Sequence, residues 1–205
     1  MMTKRSKKEA RPKSITDPER PETWLYLLKE GDLTFGVLRS NYKGRSNSAL
    51  EFGMRKLQPA PPNGVDPDAI TAERSDVILP RWAEDHFASP ISFLRACDDM
   101  QVDPGIIAYV TIPTPDADRL HQSWETARAF AKVLADERGL ATLVIQHVPG
   151  RVSSSNDPHL HLLICPRTAS SKLGLSCGGL DRELLHDTGA RILAGRWAEF
   201  IEAKG

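Results

Sequence analysis

Three stretches of the chain are apolar almost without interruption, and each is short enough for a strand: "GIIAYVTIP" (105–113), "ATLVIQHV" (141–148) and "HLHLLICP" (159–166). A fourth, "LTFGVLRS" (33–40), reads the same way and runs into a glycine-containing turn, "NYKGRS". Between the first two, the period changes. Leu120, Trp124, Ala127, Ala131 and Leu134 recur at 4-3-4-3 spacing, which places one apolar stripe along a long helix. Thr114 is a candidate N-cap for it, with Pro115 at the first helical position, and Gly139 is its left-handed stop.

Shorter helices are expected at "SNSALEFGMRKL", with Ser46 or Asn47 as N-cap, and at "SPISFLRACDDM" (89–100). "ETWLYLLKEG" reads as a short helix or helical turn closed by Gly31. Leu193, Trp197, Phe200 and Ile201 mark a C-terminal helix of about four turns. Residues 58–70, "QPAPPNGVDPDAI", are a loop, taken as an insertion within one domain rather than a boundary. No internal repeat is present. The strands at 141–148 and 159–166 are separated by about ten residues, too few for a crossover helix, so they form an antiparallel pair. The sum is an α+β domain with a largely antiparallel sheet covered by helices.

Composition narrows the class without naming a function. At 205 residues, 40% hydrophobic and 26% charged, the chain fits one globular domain over 21–205 behind a tail at 1–20. No apolar run approaches the ~18 residues that span a bilayer, and the charged N-terminus lacks the apolar stretch of a secretory signal. Cys97, Cys165 and Cys177 lack paired-motif spacing and read as reduced thiols, which favours a cytoplasmic protein. The net charge is zero but uneven. Residues 1–14 hold six Lys/Arg against one Glu, so the remainder is net acidic. The tail is a disordered solubilising segment or a polyanion-binding arm. A second basic cluster, Arg39, Lys43, Arg45, Arg55 and Lys56, forms a candidate DNA-binding groove.

The chemistry concentrates on histidines. His159 and His161 lie two apart on a strand, hence on one face, while Leu160 and Leu162 face the opposite way into the core. The antiparallel pairing brings His147 to the same end if register and parity agree. Three neutral imidazoles form a site for a divalent ion, with Mg, Mn and Zn among the candidates. Taken alone, an H-x-H strand is more often structural. His86, His121 and His186 have no partner pattern and are treated as surface residues.

Read in order, "VTIP", the 116–138 helix, His147, "NDPHLH", "LLICP" and Arg167 resemble the MobA/MobL relaxases of the His-hydrophobic-His endonuclease superfamily. "RWAEFIEAKG" resembles that family's closing helix. The resemblance covers about residue 105 to the end, and more loosely 33–57 through "GRSNSAL". It implies metal-dependent nicking and strand transfer on single-stranded DNA at a plasmid origin of transfer, with accessory mobilisation proteins as further partners and no membrane. In that chemistry a tyrosine attacks a phosphodiester to give a 5′-phosphotyrosyl intermediate, and a histidine-held metal polarises the phosphate. His147, His159 and His161 match the metal ligands. The nucleophile does not carry over. The family position, about seven residues past Ser46, falls at Gly53 with Phe52 beside it, which leaves Tyr42 as the candidate, Tyr26 and Tyr109 lying elsewhere. Water as nucleophile, or a form that binds without cleaving, follows if Tyr42 does not serve.

Two further readings stand beside this one. "PHLHLLICPR" resembles the histidine-triad nucleotide hydrolases and transferases, but Leu163 occupies the third histidine position. A noncatalytic DNA-binding accessory protein is the other. With aromatics at 6%, a stacking groove is not supported.

Overall fold

The computed structural model describes residues 16–60, 66, 68–99, 105–114, 119–151, 156–169, 174 and 178–204. The basic segment 1–14, residues 61–65 and 67 of the loop, Pro115 and Cys177 lie outside the described residues. One six-stranded sheet organises the chain. Its strands are β1 (Leu27–Glu30), β2 (Leu33–Arg39), β5 (Arg74–Ile78), β6 (Gly105–Pro113), β7 (Leu140–His147) and β8 (His159–Thr168), with a two-stranded ribbon, β3 (Asn41–Tyr42) and β4 (Arg45–Ser46), beside it. The order is β1-β2-β6-β8-β7-β5, and every neighbouring pair is antiparallel. Helices α1 (Ala49–Leu57) and α2 (Pro90–Asp99) cover one face, α3 (Leu120–Arg138) and α4 (Thr188–Glu202) the other. This is the expected α+β class.

Each face has its own core. Leu38, Ile107, Tyr109, Leu143, Ile145, Leu163 and Cys165 meet Phe52, Leu57, Phe93 and Leu94. Val110, Val144, Leu160, Leu162 and Ile164 meet Trp124, Phe130, Leu134 and Leu193. Both sheet faces are therefore buried, which is why β6, β7 and β8 read as continuous apolar runs. Leu163 and Cys165 share the histidine face of β8, so polar chemistry occupies only one end of that face. The covering helices fit closely. A Cβ on Gly53 of α1 would stand 2.4 Å from Leu94 of α2.

Several local expectations need correction. Residues 27–30 are a strand, not a helix: after a single 3-10 turn at Pro21–Trp24, the chain pairs Leu27 with Gly36 and Glu30 with Leu33. Gly31, at φ +56°, and Asp32 form the two-residue hairpin turn, so cross-strand pairing overrides the local helical look. The cap of α1 is Ser48, not Ser46 or Asn47. Ser46 is in the ribbon, and the Asn47 amide donates to the carbonyls of Trp24 and Arg39. Asp98 of α2 completes that N-terminus by accepting from the backbone N–H of Ala49 and Leu50. Helix α3 runs from Leu120, with Arg119 before it, and the first helical position expected at Pro115 lies outside the described residues. The Thr114 N–H instead donates to the Pro158 carbonyl beyond the end of β6. Strand β5 carries no apolar alternation and is recognisable only by its pairing with β7.

Candidate metal centre

The register of β7 and β8 decides whether three histidines can act together. His147 lies directly opposite His159, and Ile145 opposite His161, so all three imidazoles share a face at the open end of the pair. His161 is 3% exposed and His147 8%, while His159 is half-buried. Each offers one ligand nitrogen, and the three lie within 4.8 Å of one another. His161 Nε2 and His147 Nδ1 are 3.3 Å apart. Two nitrogens about 2.05 Å from a tetrahedral ion stand roughly 3.3 Å apart, so this pair already has ligand spacing. The cluster could hold a metal ion.

The outward nitrogens are held as well. His147 Nε2 lies 2.6 Å from the backbone carbonyl of Lys56, and His159 Nδ1 lies 2.8 Å from that of Asp157. A carbonyl only accepts, so both of these nitrogens carry the proton, and His147 Nδ1 and His159 Nε2 are left with free lone pairs. His161 Nδ1 faces two hydroxyls, Tyr109 at 2.9 Å and Thr111 at 3.1 Å. Such outer partners orient histidine ligands in metal sites.

Burial keeps the imidazoles of His147 and His161 neutral. Burial, with the charges of His159 and Lys56, pushes the pKa of His147 down to about 4 against the pull of its backbone hydrogen bond. Burial, then Lys56 and the neighbouring histidines, carries His161 well below the ordinary value. A neutral imidazole is the form that binds metal.

Lys56 is not on the surface. It is 3% exposed, forms an ion pair with Glu22, and lies over the rings of Tyr109 (5.3 Å) and Phe52 (5.6 Å). Burial alone would lower the pKa of its ammonium, but Tyr109 and Glu22 raise it above the ordinary value. This corrects its assignment to a DNA-facing groove. The other four cations are placed separately. Arg45 pairs with Glu51 at 2.5 Å and lies over Trp24, and Arg55 pairs with Glu19 at 2.7 Å. Arg39 reaches the Leu185 carbonyl, and Lys43 lies over the Tyr42 ring.

All three tyrosines of the chain are described. Tyr42 lines a cleft with Tyr26, Gly36, Arg39 and Asp187, and none of the three histidines borders that cleft. Tyr109 is at the histidines, but behind His161, on the nitrogen that faces away from the cluster. Phe52 is fully buried with its ring edge-on to Tyr109 at 5.1 Å. Gly53 is pressed on Leu94. The helix position at which the family resemblance calls for a nucleophile is therefore packed shut. Leu163, at the third position of a histidine-triad strand, is in the core opposite Tyr109.

The sequence reading passed over Tyr109, Thr111 and the inward role of Lys56. A signal for the first two was present: hydroxyls at 109 and 111 sit two apart in an otherwise apolar strand, mirroring the H-x-H of its neighbour.

No family model matches the chain, and no curated protein matches it. Among solved structures, one described as the molecular basis of vancomycin resistance transfer in Staphylococcus aureus superposes with a TM-score of 0.50. The two are 19% identical, over 66% of this chain and 73% of that one. At this identity the likeness is one of fold. Among the described residues, no helix is long and apolar enough to cross a membrane.

Proposed function

We propose that this chain is a metal-dependent single-stranded-DNA-processing domain of the MobA/MobL relaxase type, working in the transfer of mobile DNA, in which water rather than tyrosine attacks the phosphodiester. The observation that carries the reading is the three-histidine cluster on β7 and β8, with each outward nitrogen held by a protein partner. The fold shared with a structure described for resistance transfer supports the same assignment.

His147, His159 and His161 would hold a divalent ion, which would supply Lewis-acid polarisation of a bound phosphate and neutralise developing negative charge. The chain's own part is to hold His147 and His161 neutral and all three imidazoles correctly turned. The half-buried His159 marks the side from which a strand approaches. Water is favoured as nucleophile because Tyr109 is behind His161, Phe52 and Gly53 are sealed against α2 and β6, and Tyr42 borders a separate cleft. Arg39 and Lys43, near that cleft, are the proposed phosphate contacts.

The test uses end-labelled single strands carrying origin-of-transfer sequences, incubated with protein and Mn²⁺ or Zn²⁺. The expected result is metal-dependent cleavage with no covalent protein–DNA adduct, abolished in His161→Ala. An adduct that resists detergent and disappears in Tyr42→Phe would make Tyr42 the nucleophile and overturn the water reading. Binding without cleavage under any metal would leave a DNA-binding protein on this fold. Hydrolysis of a nucleoside phosphoramidate, with no action on DNA, would move the chain to the histidine-triad class.

A further inference from the structure

The outer partners of the cluster form a circuit that begins and ends on one residue. The Lys56 ammonium stands beside Tyr109, 5.3 Å from its ring centre, where the two groups interact electrostatically. Tyr109 meets His161 Nδ1 at 2.9 Å, His161 Nε2 meets His147 Nδ1 at 3.3 Å, and His147 Nε2 meets the Lys56 carbonyl at 2.6 Å. Directions follow from what each atom can do. A carbonyl only accepts, so His147 is protonated on Nε2 and accepts at Nδ1. His161 then donates from Nε2 and accepts the Tyr109 proton at Nδ1. Every hydrogen bond of the circuit is satisfied, but His161 Nε2, the nitrogen facing the cluster, carries a proton and cannot ligate.

Thr111 offers the way out. Its hydroxyl is 2.9 Å from the Tyr109 hydroxyl and 3.1 Å from His161 Nδ1. If the Tyr109 O–H turns toward Thr111 Oγ1, the phenol oxygen, beside the Lys56 ammonium, presents a lone pair to His161. His161 can then carry its proton on Nδ1, donate it to Tyr109, and expose the Nε2 lone pair. The proton count of the chain does not change. Both hydroxyls rotate, since Thr111 donates to Tyr109 in the closed form, and His161 exchanges tautomer through solvent water, which takes the Nε2 proton and returns one to Nδ1. Both hydroxyls come from β6, through the pairing of Thr111 with His161, and Lys56 comes from the last turn of α1, so neither belongs to the ligand hairpin.

We propose that Tyr109 and Thr111, anchored by Lys56, are positioning residues that switch His161 between a closed, hydrogen-bonded tautomer and an open, metal-ligating one. This rests on the reading of the histidine cluster as a metal site. Deletion of such outer-sphere partners weakens metal affinity by about 10- to 100-fold, and that is the effect expected here.

The experiment follows the imidazole nitrogens of the ¹⁵N-labelled full chain by long-range ¹H–¹⁵N correlation, without metal and with Zn²⁺, beside calorimetric Zn²⁺ affinity. Wild type is expected to show His161 protonated on Nε2 without metal and on Nδ1 with it, and His147 protonated on Nε2 in both. Tyr109→Phe and Thr111→Val are expected to bind Zn²⁺ about tenfold or more weakly, and Thr111→Ser to recover affinity. Lys56→Met is expected to weaken binding as well. Tighter binding in that variant would show that Lys56 acts only as a repelling charge, and would overturn its part. His161 in one tautomer throughout, or unchanged affinity in both hydroxyl variants, would overturn the switch. The wild-type spectra decide the matter even where a variant fails to fold. Absence of Zn²⁺ binding in wild type would instead remove the metal reading itself, a result separable from failure of the switch.

Discussion

Strands β7 and β8 send Val144, Leu160, Leu162 and Ile164 toward α3 and α4, and Ile145, Leu163, His147 and His161 toward α1 and α2. The first set meets Trp124, Phe130 and Leu134, hydrocarbon against hydrocarbon, and its stability is a matter of filled volume. The second begins the same way and then, within two residues along each strand, changes to imidazoles backed by a buried lysine, ion-paired to the exposed Glu22, and two hydroxyls. The same sheet thus carries a face that tolerates conservative apolar exchange and a face where each polar atom depends on a partner. A buried polar network has little slack: removing one partner leaves another unsatisfied.

The largest expected effect belongs to the apolar face. Phe130→Ala removes a fully buried ring packed against Trp197 and Phe200, and should lower unfolding free energy by about 3–5 kcal/mol while leaving Zn²⁺ affinity of the folded fraction unchanged. Denaturant unfolding with a metal titration checks both halves, and a large affinity loss would show that the faces are not independent. Next comes the metal-linked term. Saturating metal at 100 times its Kd should add about 2.7 kcal/mol to wild type and nothing to His161→Ala, read as the shift in urea midpoint.

The third prediction is a pH dependence confined to the histidine face. A folded His147 pKa near 4 lies below the ordinary value of 6.5 in the unfolded chain, so the unfolded state takes up the proton first. Stability of the metal-free chain should be level above pH 6.5 and fall as pH drops from 6.5 toward 4. His147→Gln should flatten that slope, whereas Phe130→Ala should keep it. The smallest effect concerns the support of α1. Ser48→Ala removes the cap that accepts from the Glu51 N–H, and should cost about 1 kcal/mol of stability by thermal unfolding, softened by the remaining Asp98 contacts.

The contrast also explains what could be read from the sequence. Apolar runs placed β6, β7 and β8 within one or two residues, and the 4-3-4-3 stripe placed α3, because hydrophobic period is a property of the segment itself. Segment 27–30 and strand β5 were missed because they are strands through pairing, the one completing a hairpin over Gly31 and the other adding to β7. At the site, the three histidines were legible because β7 and β8 are adjacent in the chain, which fixes their pairing. Tyr109, Thr111 and Lys56 were not, because their place depends on β6 lying beside β8 and α1 beneath both. That ordering joins residues about 50 to 90 positions apart. Lys56 shows the limit most sharply. In the sequence it is one cation in a basic cluster, and in the fold it is buried against Glu22 and the histidine face.

All three imidazoles stand on one hairpin, and this bears on how the protein acquires its shape. Closing the segment between His147 and His159 costs little chain entropy, so the hairpin can form before β6 and α1 arrive from far along the chain. An ion captured at that stage would act as a clasp on the folding nucleus. Added metal should then quicken refolding as well as slow unfolding, a distinction that the two arms of a stopped-flow chevron resolve. On that view the cluster serves twice, first in joining two strands of a collapsing chain and later as the proposed metal site of the folded domain.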